Sequence, residues 1–434
     1  MAYFQLSQQK PLSFRSAIGA GLGGLLLFIS ACTTTPEPRI VPVPRAQPTV
    51  TPQPIDRPIE ADSADDITPV VIDPRFTPPH MQDREITRIA VLLPFSHPNQ
   101  QVQADAESLL AGLELALFQK RKRDIIFLPK DTSGKRTEAL ISAKEAITEG
   151  ADMIIGPLFS GNVQAVRAVA AEGSIPLVSF SGQKRAAGDG AYLISVAVET
   201  EVERVVSYVA QQGADIFAFF GPDTEYGRRA HSSLQDAAEK SGGRVIASEF
   251  YDTTGETPLD ESLRLAKALV PYNDDMTGRV AVLIPLGGTE LLSTAPLLAY
   301  NGVDTRRITL LGTSAWNDAS VWREPVLERG LFATYDPEAY AQYTADYTRI
   351  YRQAPTAISH LGYDAGLMAI SLAEDERLTV EGLLDEDGFT GVNGQFRFTQ
   401  EGIAEHLLSV LKIDPVGGAV LVERGAEDFD PPIF

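Results

Sequence analysis

The chain has 434 residues and a formal net charge of −21, with 58 acidic against 37 basic side chains and 44% hydrophobic residues. A surface this acidic repels phosphate backbones and carries no basic stripe in its composition, which argues against nucleic acid as a partner. A single cysteine leaves no disulfide within the chain, and the five histidines (His80, His97, His231, His360 and His406) lack metal-ligand spacing, so burial has to supply the stability and neither metal nor cofactor is expected.

Residues 1–31 contain Lys10 and Arg15 but no acid, then the glycine-interrupted apolar run Ala17 to Ile29, too short for a lasting span of about 20 residues. They read as a signal peptide. The segment Ile29-Ser30-Ala31-Cys32 resembles a bacterial lipobox, which implies that Cys32 is lipidated and becomes the new N-terminus, anchoring the protein to a membrane. Loss of Lys10 and Arg15 would take the net charge from −21 to −23. Thr33 stands where inner-membrane lipoproteins commonly carry a retaining Asp, so the resemblance implies an outer-membrane lipoprotein facing the periplasm. Residues 32–85 form the lipidated cysteine and a tether with 12 prolines. At about 3.1 Å per residue of extended polyproline conformation it would reach roughly 160 Å.

From residue 86 short β-branched runs alternate with amphipathic stretches. Strands are predicted at 88–94, 124–129, 152–156, 175–180 and 192–196, with helices at 103–119, 138–149 and 162–172 between them. A second series has strands at 216–220, 244–250, 280–285 and 308–311 and helices at 201–212, 226–241, 259–270 and 289–300. The alternation predicts an α/β fold of two doubly wound parallel-sheet lobes, since about 350 residues exceed what one core organises. No Gly-x-Ser-x-Gly elbow is present, and the acidic runs at 374–376 and 385–387 sit in polar connecting segments, so no catalytic residue is assigned and no enzyme is expected.

The runs Ile89-Ala90-Val91-Leu92-Leu93-Pro94, Gly156-Pro157-Leu158-Phe159-Ser160, Ile175-Pro176-Leu177-Val178-Ser179 and Gly221-Pro222-Asp223-Thr224-Glu225-Tyr226-Gly227 resemble, in order and spacing, type I periplasmic binding proteins of the branched-chain amino-acid class. So do Gly362-Tyr363-Asp364-Ala365 and the run Gly391 to Phe398. The resemblance implies hinge crossovers between a first lobe of 86–198 plus 337–393 and a second of 199–336 plus 394–424, leaving 425–434 as a tail. It also implies a ligand cleft faced by Ser160, Ser179 and Ser181 from the first lobe and Tyr226 from the second. Ser160 reads equally as a helix cap, and Tyr226 equally as a packed core aromatic. Amino-acid receptors of this class hold the ligand ammonium with an acid after the strand ending Leu310-Leu311-Gly312, whereas Thr313, Ser314 and Ala315 offer none.

The chain also resembles the penicillin-binding protein activators, lipoproteins with a domain of this type. That resemblance implies that it binds and activates a bifunctional penicillin-binding protein, a peptidoglycan synthase. The alternative is a receptor that hands a small polar ligand to an ABC importer.

Overall fold

The computed structural model of the protein describes residues 77–429 except 254, 256, 275–278, 415 and 417. The signal peptide, Cys32 and the tether as far as 76 lie outside the described residues, as does the end of the tail from 430. In the first lobe β1 (Thr87–Leu93) is buried from Ile89 onward, as a strand covered on both faces must be. β2 (Ile125–Asp131), β3 (Met153–Ile155), β4 (Leu177–Ser179) and β5 (Ala191–Leu193) complete a parallel sheet in the order β2-β1-β3-β4-β5. Helices α1 (Gln100–Lys120), α2 (Arg136–Thr148) and α3 (Ser160–Glu172) make the crossovers between its strands.

Past the first hinge, α4 (Val198–Gln211) leads into the second lobe. It alternates β6 (Ile216–Pro222), α5 (Glu225–Lys240), β7 (Arg244–Tyr251), α6 (Leu259–Leu269) and β8 (Val280–Leu283). The helix predicted over 289–300 is two, α7 (Gly288–Thr294) and α8 (Pro296–Tyr300), because Pro296 has no N–H to continue the ladder. β9 (Thr309–Gly312) and β10 (Leu331–Thr334) follow in parallel.

The chain then returns as α9 (Pro337–Tyr351), α10 (Ser359–Glu374) and α11 (Val380–Leu383), and forms a small antiparallel sheet of β11 (Phe389–Gly391), β12 (Gly394–Phe398) and β13 (Ala404–His406). Phe396, Phe398 and Ala404 lie in the same core cluster as Ile89, Val178 and Tyr192. Residues 394–406 were expected in the second lobe; their inward aromatic side chains pack them in the first, and the last passage falls at 407–408. β14 (Ser409–Asp414) and β15 (Gly418–Glu423) then close the second sheet antiparallel, in the order β15-β14-β10-β9-β8-β6-β7.

α1 and α10 pack backbone to backbone through glycines. A Cβ on Gly362 would lie 2.1 Å from the Leu109 carbonyl oxygen, and one on Gly112 2.5 Å from that of Ser359. Within α10 the buried Asp364 accepts the Val392 N–H at 2.6 Å and the Asn393 amide at 2.9 Å, tying the turn between β11 and β12 to the helix. At the hinges the Ser195 hydroxyl donates to the Phe180 carbonyl at 2.7 Å, a His406 ring nitrogen to that of Ile194 at 3.1 Å, and Arg204 Nε to that of Leu408 at 2.7 Å. Asp336, between β10 and α9, caps α9 by accepting the Glu338 and Ala339 N–H groups at 2.8 and 3.2 Å.

Candidate functional site: the cleft between the lobes

Parallel strands end in turns whose residues point away from the sheet, and ligands of open α/β sheets bind at those carboxyl ends. In the first lobe the turns after β3 and β4 meet. Ser160 is the first residue of α3, whose N-cap is Phe159, and no side chain caps the helix. Its hydroxyl donates instead to Gln183 Oε1 at 2.5 Å, so capping is not its role. Ser179 is fully buried, donates to the Pro157 carbonyl at 2.7 Å and accepts the Ser181 N–H at 3.0 Å. Ser181 Oγ in turn accepts the Gln183 N–H at 3.3 Å. The three serines are thus drawn together around one loop, with their hydroxyls engaged inside it.

Tyr226 stands in the first turn of α5, and its hydroxyl donates to Thr313 Oγ1 at 3.1 Å. Two fifths of the residue is accessible (40%), yet shelter around the hydroxyl, with the Glu201 carboxylate adding to it, holds the phenol well above its ordinary pKa. No hydrogen bond joins Tyr226 to the serines among the described residues. The two sides are linked by other groups: Arg185 Nη1 reaches Glu225 at 3.3 Å, and Arg229 Nη1 donates to the Gly182 carbonyl at 3.2 Å while its other nitrogens grip Glu199 at 2.8 and 2.7 Å. Burial acts to raise Glu199, but the Arg229 hydrogen bonds, a backbone N–H and the charges of Arg229 and Lys184 together outweigh it and hold the carboxyl below its usual range.

Toward the hinges lies a cavity of about 400 Å3, walled by His360 and Asn393 from the first lobe, Ser195 and Thr334 from the hinges, and Glu201 and Ser314 from the second lobe. Glu201 is 5% exposed. Burial pushes its carboxyl up to about 7, against hydrogen bonds from the Ser314 hydroxyl and N–H. Burial, with His406 nearby, pulls His360 down to about 4, and burial does the same to His406, so both imidazoles are neutral near pH 7. Thr334 Oγ1 and His360 Nδ1 are buried with no hydrogen-bond partner among the described residues.

Sequence reasoning named the serines and the tyrosine as cleft residues and did not name Glu201, which brings to the loop after β9 the carboxylate that the loop itself lacks. The signal was there: Glu201 falls in the apolar stripe Val198, Val202, Val205, Val209 of α4, where a solvated charge has no place. Hydroxyls, one buried acid and a neutral imidazole make a site suited to holding a small polar group. Among the described residues no three His, Cys, Asp or Glu side chains cluster to hold a metal ion.

Solved structures of similar fold include a protein of Rhodospirillum rubrum assigned to a branched-chain amino-acid ABC transporter, at 17% identity and a TM-score of 0.68, with 78% of this chain and 100% of that one covered. An ABC transporter substrate-binding protein from Sphaerobacter thermophilus matches at 20% identity and a TM-score of 0.63, covering 80% and 99%. Another from Desulfitobacterium hafniense, in complex with Leu, matches at 20% and 0.56, covering 78% and 100%. At such identities the likeness is one of fold. No curated protein matches. The sequence model of the periplasmic binding protein family matches residues 87–419, the stretch that builds both lobes and the cleft, and the chain belongs to that family.

Proposed function

We propose that this protein works by binding rather than by chemistry, as a membrane-tethered envelope protein that docks on a peptidoglycan synthase and raises its activity. The observation that carries the reading is the state of the outer cleft. Ser160, Ser179, Ser181 and Tyr226 are satisfied by the protein's own groups, and Arg185 and Arg229 tie the two sides directly to one another. A receptor that closes on its solute needs those hydroxyls free and its lobes apart; a docking protein needs a fixed shape. The lipobox-like segment at Cys32 and the proline-rich stretch that follows suit a partner some distance from the anchor. The purified domain should stimulate the glycan-polymerising rate of a bifunctional penicillin-binding protein several-fold in vitro. An unchanged rate over a saturating range of domain concentrations would dispose of the idea.

The second reading, an importer's solute receptor, is favoured by the hinge-side cavity with its unpartnered Thr334 and His360 atoms and the Glu201 carboxylate. Calorimetric titration with a panel of amino acids separates the two. The first reading expects no saturable heat, and micromolar binding would install the second.

A further inference from the structure

A second pocket lies at the opposite ends of the strands from the cleft. β14 runs antiparallel to β10, placing Lys412 beside Leu331, the first residue of β10. Lys412 follows Val410 by two residues and so shares its face of the sheet, the face packed against the valines of α4. Because α4 stops at Gln211, this face is left open at its end. The opening is a pocket of about 320 Å3 with Val209, Leu331 and Val422 among its apolar walls and Arg306, Arg307, Arg329 and Lys412 around them.

In a chain of net charge −21, four cationic residues line one pocket whose only acidic lining residue is Glu328. Arg306 is held by Asp304 at 3.2 Å. Among the described residues Arg307, Arg329 and Lys412 make no ion pair, although many other arginines do, including Arg204 with Glu423, Arg229 with Glu199 and Arg377 with Asp385. The rest of the polar lining can donate as well: the Tyr208 and Thr305 hydroxyls and the Gln212 amide. Like charges gathered this way repel one another unless an anion joins them.

We propose that this pocket binds a phosphate group. Guanidinium forks match the oxygens of phosphate two at a time, and several cations suit a group that carries up to two negative charges better than a single carboxylate would require. The apolar walls would accept the short aliphatic part of a phosphate ester. Such a group can come from a soluble phosphate ester or from a lipid headgroup, and the two sources can be told apart.

The full domain is titrated with glycerol phosphate at low salt and, separately, sedimented with phosphatidylglycerol and phosphatidylcholine vesicles. Saturable binding of glycerol phosphate, weakened at least tenfold by Arg307→Gln with Lys412→Gln, supports the site; retention on phosphatidylglycerol vesicles that depends on the same two residues assigns it to headgroups. Arg307→Lys keeps the charge but loses the fork and should fall between parent and double variant, a check independent of any folding defect in the latter. The charge-matched pair Arg121→Gln with Arg123→Gln, on the first lobe, should bind as the parent does. Absence of binding by both probes, or equal loss in the charge-matched control, overturns the proposal.

Discussion

Glu201 and His360 share one buried cavity, and they bend stability in opposite directions with pH. A carboxyl held at about 7 instead of 4.5 keeps a proton in the folded chain that the unfolded chain has released. Its contribution is complete below the unfolded value and is lost as pH rises through about 4.5 to 7. An imidazole held at about 4 instead of 6.5 has the reverse sign, its contribution fading as pH falls through 6.5 toward 4. Glu201→Gln removes the first of these trends and leaves the imidazoles in place. The variant should gain on the parent, by on the order of 3 kcal/mol, between about pH 5 and 8, since every tenfold change in a proton affinity is worth about 1.4 kcal/mol. Urea unfolding of both proteins across that range measures it, and parallel curves would mean that Glu201 is ionised in the folded chain. Side-chain detail of this kind was only partly legible in the sequence. A Ser opening a helix looks like a cap, and only the folded chain reveals that Ser160 turns to Gln183, a partner 23 residues away.

Element boundaries were more legible, because burial imposes a period on the residues that form them. The run Arg88 to Pro94 announced a covered strand, found at 87–93, and the helix predicted at 201–212 is found at 198–211, begun one turn earlier at Val198. What periodicity misses is placement: β12 alternates buried and half-buried residues as any strand would, and nothing in Gly394 to Phe398 says which core its phenylalanines enter. The meeting of α1 and α10 was likewise invisible, although its cause is written in Gly112, Gly362 and Gly366. Gly362→Ala forces a methyl group against the Leu109 carbonyl and should destabilise the protein by about 1–3 kcal/mol, the usual range for overpacking. The same change at Gly182, where a Cβ would meet nothing within 4 Å, provides the control. Equal midpoints in urea for the two variants would show that the helices can part without cost.

At the scale of the molecule, the two lobes are joined by hinges along one edge and by a few polar ties across the other. Arg185 with Glu225 is an exposed pair, worth about 0–1 kcal/mol by itself. Arg229 counts for more: it is half-buried, forms a two-pronged pair with Glu199 and also reaches the backbone at Gly182. Arg229→Ala should speed amide hydrogen exchange in the Ser181 to Arg185 loop severalfold while leaving β1 as protected as before. Unchanged exchange in the loop would mean that the ties follow closure rather than maintain it. The last hinge, which follows β12 and precedes β14, also governs the order in which the lobes can be completed. Because the second sheet needs β14 beside β10, a chain growing from its N-terminus cannot finish that lobe until residue 409 and those beyond it have been made. The first lobe waits almost as long, for the phenylalanines of β12. Neither lobe corresponds to a contiguous stretch that could mature ahead of the other, so each is completed only once β12 and β14 have been made, and the two halves settle together.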